Sequence, residues 1–241
     1  MIVLLTDFGP SEYVGVMKGV IYSVHTAAAT VDLCHDVGPQ SIVEGAWILK
    51  NSYRHFPKGA VFCCVVDPGV GTERKALAVK SEEYYFVAPD NGLLWETVKE
   101  GKAIDARQIP VPEGASRTFH GRDVFAVAAA NIDKGGFDRL TEKVDRIERL
   151  EFHREGREGM VVRIDRFGNI ITNLPGLDKG RYSVQAAGAE YSMKYCETYD
   201  AAEAAELFLI EGSCGTLEIS IRNGSASDRL QLRPGMTLTI V

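Results

Sequence analysis

The order of apolar and polar positions changes part-way along the chain. In the first half, short apolar runs alternate with segments of helical period, the pattern of strand-to-helix crossovers feeding a largely parallel sheet. Ile2 to Thr6 reads as a buried strand, and Val14, Met17, Val20, Ile21 and Val24 then recur at helical spacing with Lys18 and Ser23 between them. Thr30 to Cys34 predicts a second strand, and Pro39 is expected to open a helix carrying Ile42, Val43, Ala46, Trp47 and Lys50. Ala60 to Val66 is the most apolar run, halted by Asp67-Pro68-Gly69-Val70-Gly71, which neither helix nor strand continues. Ala76 to Val79 and Tyr84 to Val87 predict shorter strands, Pro89-Asp90-Asn91-Gly92 a turn, and Val124 to Ile132 an alanine-rich helix.

From about Glu151 the period shortens. Arg154-Glu155-Gly156-Arg157-Glu158-Gly159 is charged and glycine-rich, as linkers are. Strand-like runs follow at Val161 to Ile164, Ile170 to Thr172, Tyr182 to Ala186, Leu217 to Ile221 and Thr237 to Val241, with Ala201 to Glu206 alone reading as helix. The fold expected is α/β: a largely parallel α/β sandwich domain over residues 1–153, then a smaller, mostly antiparallel β domain of sandwich or barrel type over residues 160–241.

Composition narrows the function classes. With 45% hydrophobic and 25% charged residues over 241 positions, either domain can bury a core and disorder is excluded as the dominant state. A formal charge of −6 without a lysine or arginine run offers no footprint for nucleic acid, so a small or cationic ligand fits better. No window approaches about 18 uncharged apolar residues. Met1 to Thr6 runs into Asp7 without a basic lead, so neither a membrane span nor an export signal is expected. Five cysteines, Cys34, Cys63, Cys64, Cys196 and Cys214, form an odd set without metal-ligand spacing, and a reducing cytoplasm is the expected location.

Ligands of parallel sheets bind beyond the carboxyl ends of the strands. Those positions are polar here: Asp7 after the first apolar run, His35 and Asp36 after the second, Asp67 after the third, Asp90 and Asn91 after a later one. One such aspartate is ordinary turn chemistry; several together point to a site. Asp67 and Arg74 are separated by a loop with two glycines that can fold back to pair them, either as a loop-stiffening ion pair or as a held, ionised acceptor. His120 lies in Thr118-Phe119-His120-Gly121-Arg122-Asp123, a polar break before a helix, and is the best candidate for a general base or water-positioning group. In the second half, Asp165 and Asn169 supply a carboxylate and an amide of the kind that holds an ammonium and a carboxylate, and the turns at Ser213-Cys214-Gly215 and Asn223-Gly224-Ser225-Ala226 offer backbone donors and acceptors. Glycine-rich phosphate loops and the serine-hydrolase elbow are absent.

Taken together, Leu5-Thr6-Asp7-Phe8-Gly9, Tyr13-Val14-Gly15-Val16-Met17-Lys18-Gly19, Val66-Asp67-Pro68-Gly69-Val70-Gly71-Thr72-Glu73-Arg74, Pro89-Asp90-Asn91-Gly92-Leu93, Thr118 to Asp123, Phe167-Gly168-Asn169 and Leu217-Glu218-Ile219 fall in order along nearly the whole chain. In this the sequence resembles the S-adenosyl-L-methionine hydroxide adenosyltransferases, relatives of fluorinating and chlorinating enzymes. The resemblance implies hydrolysis of S-adenosyl-L-methionine to adenosine and L-methionine without metal or cofactor, in a homotrimer with sites between subunits. It implies a catalytic triad of Asp67, Arg74 and His120, which the halogenating relatives lack. By the same resemblance Asp7 and Glu12 face the ribose hydroxyls, Phe119 the sugar or adenine, and Asp165 with Asn169 the methionine head. Ser213, Arg222, Ser225 and Ala226 border the adenine and the amino-acid end. The segment after Gly9 is one residue shorter than the usual pattern, with Glu12 where aspartate is common, and Cys214 stands where serine is usual. Two rival readings remain at this point: a metal-dependent nucleotidase or phosphatase using the strand-end aspartates, and a non-catalytic nucleoside-binding module.

Overall fold

Continuous apolar runs become central strands because both of their faces are covered. In a computed structural model describing residues 1–99 and 104–241, the first strands are Ile2–Thr6 (β1), Thr30–Cys34 (β2), Val61–Val65 (β3), Ala76–Lys80 (β4), Tyr85–Pro89 (β5) and Asp105–Ile109 (β6). They form one sheet in the order β2-β1-β3-β5-β4-β6. The first four of these run parallel, while β4 is antiparallel to both β5 and β6. The sheet is thus more mixed than expected. The connection from Lys80 to Tyr85 is a hairpin, too short for the crossover of about a dozen residues that a parallel pair needs.

Alternation along each strand feeds two cores. Ile2, Leu4, Val61 and Cys63 face one layer with Val14, Met17 and Ile21 of helix Glu12–Val24 (α1). Val3, Leu5, Phe62 and Cys64 face another with Ile48 and Leu49 of helix Ile42–Ser52 (α2) and Val98 of helix Trp95–Val98 (α3). Each fully buried aliphatic or aromatic side chain stabilises the unit by roughly 1.5–3 kcal/mol. Two helix starts differ from expectation. α2 begins at Ile42 behind Ser41, not at Pro39, because Gln40 takes φ 62°, which no helix interior accommodates. The alanine-rich helix starts early, as a π-helical segment Gly121–Ala126 that leads into Val127–Asp133 (α4).

The chain divides into two units, Met1–Glu151 and Phe152–Val241. The second holds Glu158–Ile164 (β7), Ile170–Pro175 (β8), Arg181–Ala186 (β9), Ala189–Tyr195 (β10), Leu207–Glu211 (β11), Thr216–Ile221 (β12) and Thr237–Ile240 (β13). These close into a barrel in the order β10-β11-β12-β8-β7-β13-β9, antiparallel except for the parallel pair β10 and β11. Its interior takes Val161, Ile170, Val184, Leu209, Leu217, Ile219 and Ile240. Helix Ala226–Leu230 (α5) follows β12. The charged glycine-rich stretch is in part strand: β7 opens at Glu158, which bridges Glu155. Ala201 to Glu206 is not a helix. Tyr199–Ala201 makes a single 3-10 turn, Ala204 bridges Arg222, and Ala205 takes φ 61°. Pairing with the barrel overrides the helix preference of alanine and glutamate. Among the described residues no helix is long and apolar enough to cross a membrane.

Candidate active site

In the N-terminal unit the parallel strands deliver their polar ends to one edge. Thr6 and Val65 are register partners in β1 and β3, so Asp7 and Asp67, each just beyond its strand, emerge on that same edge. Asp7 Oδ2 accepts the Gln40 backbone N–H at 2.8 Å. Burial raises the Asp7 carboxyl above its usual range, opposed by that hydrogen bond and helped by the Asp67 charge. His35 is tied to Thr6 Oγ1 at 2.9 Å, and Asp36 is exposed. Asp90 and Asn91 serve the backbone: Asp90 accepts from Glu148 N–H, and the Asn91 amide donates to the Val66 carbonyl at 2.9 Å. Among the described residues no group of three or more histidine, cysteine, aspartate or glutamate side chains is arranged to hold a metal ion.

The loop after β3 folds back as its glycines allow. Gly71 sits at φ 77°, and a Cβ there would collide with the Arg117 carbonyl oxygen, so the loop lies directly against the segment leading to His120. Arg74 returns to Asp67 in a two-pronged pair: Nε donates to Oδ1 at 2.9 Å and Nη2 donates to Oδ2. Arg74 Nη2 also lies 2.8 Å from His120 Nδ1. Because arginine has no lone pair to offer, Nδ1 is the acceptor, and the neutral ring carries its proton on Nε2. The Asp67 and Arg74 side chains are only 5% and 9% exposed, and the guanidinium lies over the Phe125 ring. Arg74 Nη1 is buried and has no hydrogen-bond partner among the described residues. Beside the triad, Phe119 closes an edge-to-face cluster with Phe8 and Tyr13, its ring centroid 5.0 Å from that of Tyr13.

The C-terminal unit carries a cleft of about 760 Å³ lined by Asp165, Asn169, Tyr199, Arg222 and their neighbours. Asp165 Oδ1 accepts the Phe167 and Asn169 backbone N–H groups and Oδ2 accepts the Asn169 side-chain amide, each at 2.9 Å. Gly168, at φ 81°, packs against Ser225 and its carbonyl accepts the Ser227 N–H, which ties this loop to the start of α5. Arg222 pairs with Asp200 on the cleft rim.

This geometry can be set beside known proteins. The family models for the SAM hydroxide adenosyltransferase N-terminal and C-terminal domains match residues 2–141 and 159–239. The chain belongs to the SAM hydroxide adenosyltransferase family. A Thermus thermophilus protein named (R)-S-adenosyl-L-methionine hydrolase is 36% identical, with 98% of each chain covered. A crystal structure of an uncharacterized conserved protein from Thermotoga maritima superposes with a TM-score of 0.91 at 33% identity over 100% of both chains. A Nocardia brasiliensis protein named fluorinase is 27% identical over 83% of this chain and 78% of its own.

Of the residues singled out from the sequence, Arg74 touches both Asp67 and His120, and Asp7 and Phe119 belong to the same unit. Glu12 is an exposed first residue of α1. Asp165, Asn169 and Arg222 line the cleft. Ser225 caps α5, accepting from Asp228 N–H, and Ala226 is fully buried in the barrel core, so its methyl group is not available to a ligand. Ser213 is exposed at the turn between β11 and β12 and is not among the cleft residues. Sequence reasoning missed the aromatic partners Phe8 and Tyr13, although both stand outside any apolar period; it missed Tyr199, which no local pattern marks, and gave Glu218 no role of its own although Leu217-Glu218-Ile219 is one of the motifs quoted above.

Burial, and next the Arg74 charge, lower the His120 ring below its ordinary value of 6.5. With the neutral ring in catalysis, the acid limb of kcat has its midpoint below pH 6.5, and His120→Gln removes that limb. A pH–rate profile checks this; a limb centred above 6.5 in the unmodified protein contradicts it.

Proposed function

We propose that this protein hydrolyses S-adenosyl-L-methionine at C5′ to adenosine and L-methionine. The contiguous Asp67, Arg74 and His120 constellation carries the reading, supported by membership of the family and by relatives named for this hydrolysis. The sulfonium departs as a neutral thioether, so the leaving group needs little acid catalysis. The water oxygen bonds to C5′ as the C5′–S bond breaks, and the sulfur keeps the electron pair. What the protein must supply is one water, placed in line and polarised.

Each triad member has a role its geometry supports. Arg74 Nη1 donates to the water oxygen. Asp67 keeps a lone pair on each carboxylate oxygen after its bonds to Arg74, and accepts the proton that the water loses. An arginine-paired carboxylate is a weak base, but the oxygen becomes strongly acidic once bonded to C5′, so a weak base suffices late in the step. His120, its Nδ1 occupied by Arg74, orients the water through Nε2.

The remaining contacts follow the family resemblance. Asp7 and Glu12 take the ribose hydroxyls, Phe119 with Phe8 and Tyr13 the apolar flank of the nucleoside, and Asp165 with Asn169 the methionine head. Arg222 and the backbone near Ser213, Ser225 and Ala226 border the adenine and amino-acid ends. Each unit holds only some of these groups, which supports a homotrimer whose sites combine the N-terminal unit of one subunit with the C-terminal unit of another. Five free cysteines support a reducing, cytoplasmic setting, and the reaction as written calls on no metal or cofactor.

In water enriched in the heavy oxygen isotope, the label is expected in the adenosine 5′-hydroxyl. Label in an amino-acid product, or loss of activity with a chelator, overturns the reading. Chloride is not expected to replace water, because the Asp67 carboxylate beside the nucleophile position repels an anion. Mass spectrometry at high chloride tests this, and 5′-chloro-5′-deoxyadenosine from the unmodified protein contradicts it.

A further inference from the structure

Glu218 is a buried carboxylate that the reaction above leaves unused, only 8% exposed. Alternation along β12 sends Leu217 and Ile219 into the barrel and places Glu218 and Ser220 on its outer face. Tyr199, in the 3-10 turn ahead of β11, sets its hydroxyl on that face and donates to Glu218 Oε2 at 2.9 Å. The Ser220 hydroxyl, two residues along, is fully buried on the same face and has no hydrogen-bond partner among the described residues. The Phe208 ring stands 6.0 Å away at 82°, bounding another edge of the tyrosine. Tyr199 also lines the cleft with Asp165 and Asn169. Its polar tip is therefore turned inward and its ring is left as wall.

We infer that Glu218 is a positioning residue for substrate binding, which fixes Tyr199 by its hydroxyl so that the ring stands as a rigid wall of the cleft. A half-exposed tyrosine otherwise samples several rotamers, and ordering it on binding weakens affinity. A carboxylate in this place is costly to bury unless it is hydrogen-bonded, and the bond it accepts is the one that holds the ring. Tyr199 lines the same cleft as Asp165, the carboxylate assigned to the methionine head. The inference rests on the hydrolase reading, since it names the step that the wall serves.

Steady-state kinetics with S-adenosyl-L-methionine on four variants test it. Tyr199→Phe and Glu218→Ala are each expected to raise KM about three- to tenfold, the worth of one hydrogen bond, with kcat changed less than about twofold. The double variant is no worse than the poorer single one, because both remove the same bond. Glu218→Gln keeps an acceptor and stays within about twofold of the unmodified protein in both constants. Additive effects on log KM, an unchanged KM in Tyr199→Phe, or a kcat loss shared by Glu218→Ala and Glu218→Gln overturns the role. Adenosine release by the unmodified protein together with any of these overturns this role alone, whereas no adenosine from the unmodified protein overturns the hydrolase reading and the role with it.

Discussion

Asp67→Ala is expected to slow turnover by about 10²–10⁴-fold while the dissociation constant for S-adenosyl-L-methionine changes only a few-fold. The carboxylate is placed to act on water rather than to grip substrate, so its loss falls on the chemical step. The same change strands the Arg74 guanidinium, 9% exposed and without its main counter-charge, which costs about 3–5 kcal/mol of stability. Asp67→Asn separates the two effects, since the amide retains an acceptor for Arg74 and fills the same volume. Single-turnover rates beside calorimetric binding check the prediction. Binding that vanishes, with the few remaining bound molecules reacting normally, is the contrary result.

Gly71→Ala is expected to cost on the order of 10²-fold in kcat, although the residue touches no substrate. Its φ of 77° is unfavourable for any residue with a Cβ, and the added methyl drives into the Arg117 carbonyl. That carbonyl belongs to the backbone leading into His120, so relief of the collision parts the loop of Asp67 and Arg74 from His120. The 2.8 Å contact between Arg74 Nη2 and His120 Nδ1 is then lost. Gly69→Ala is the control. Its Cβ approaches nothing closer than 3.4 Å, the Arg74 Cγ, and most of the activity is expected to remain. Equal losses in the two variants would show that general loop stiffness, not this collision, sets the rate.

Legibility in the sequence followed burial. Ile2 to Thr6 and Ala60 to Val66 could be read because strands covered on both faces write continuous apolar runs. β6, with the sequence Asp-Ala-Arg-Gln-Ile, could not, because it is an edge strand whose Arg107 is held by Asp105 and the Leu140 carbonyl rather than by an apolar layer. Ala201 to Glu206 misled because composition spoke for a helix and only the bridge from Ala204 to Arg222 spoke against it. Asp67 and Arg74 were legible as a pair because seven residues and two glycines suffice to close the loop. Tyr199 and Glu218 were not, since their meeting depends on how β12 lies beside the turn before β11.

Cys63 and Cys64 carry a use that has nothing to do with turnover. Burial pushes the Cys63 thiol up to about 12 and Cys64 upward as well, so neither reacts with an alkylating reagent in the closed fold. Adjacent in one strand, they look into different layers, Cys63 beneath α1 and α4 and Cys64 beneath α2 and α3. Their labelling rates therefore time the opening of each layer separately, two clocks set one residue apart. With the exposed Cys214 as the fast reference, pulse alkylation read by peptide mass reports which side of the sheet lets go first, and equal rates mean that the sheet and both helical layers open as one cooperative body.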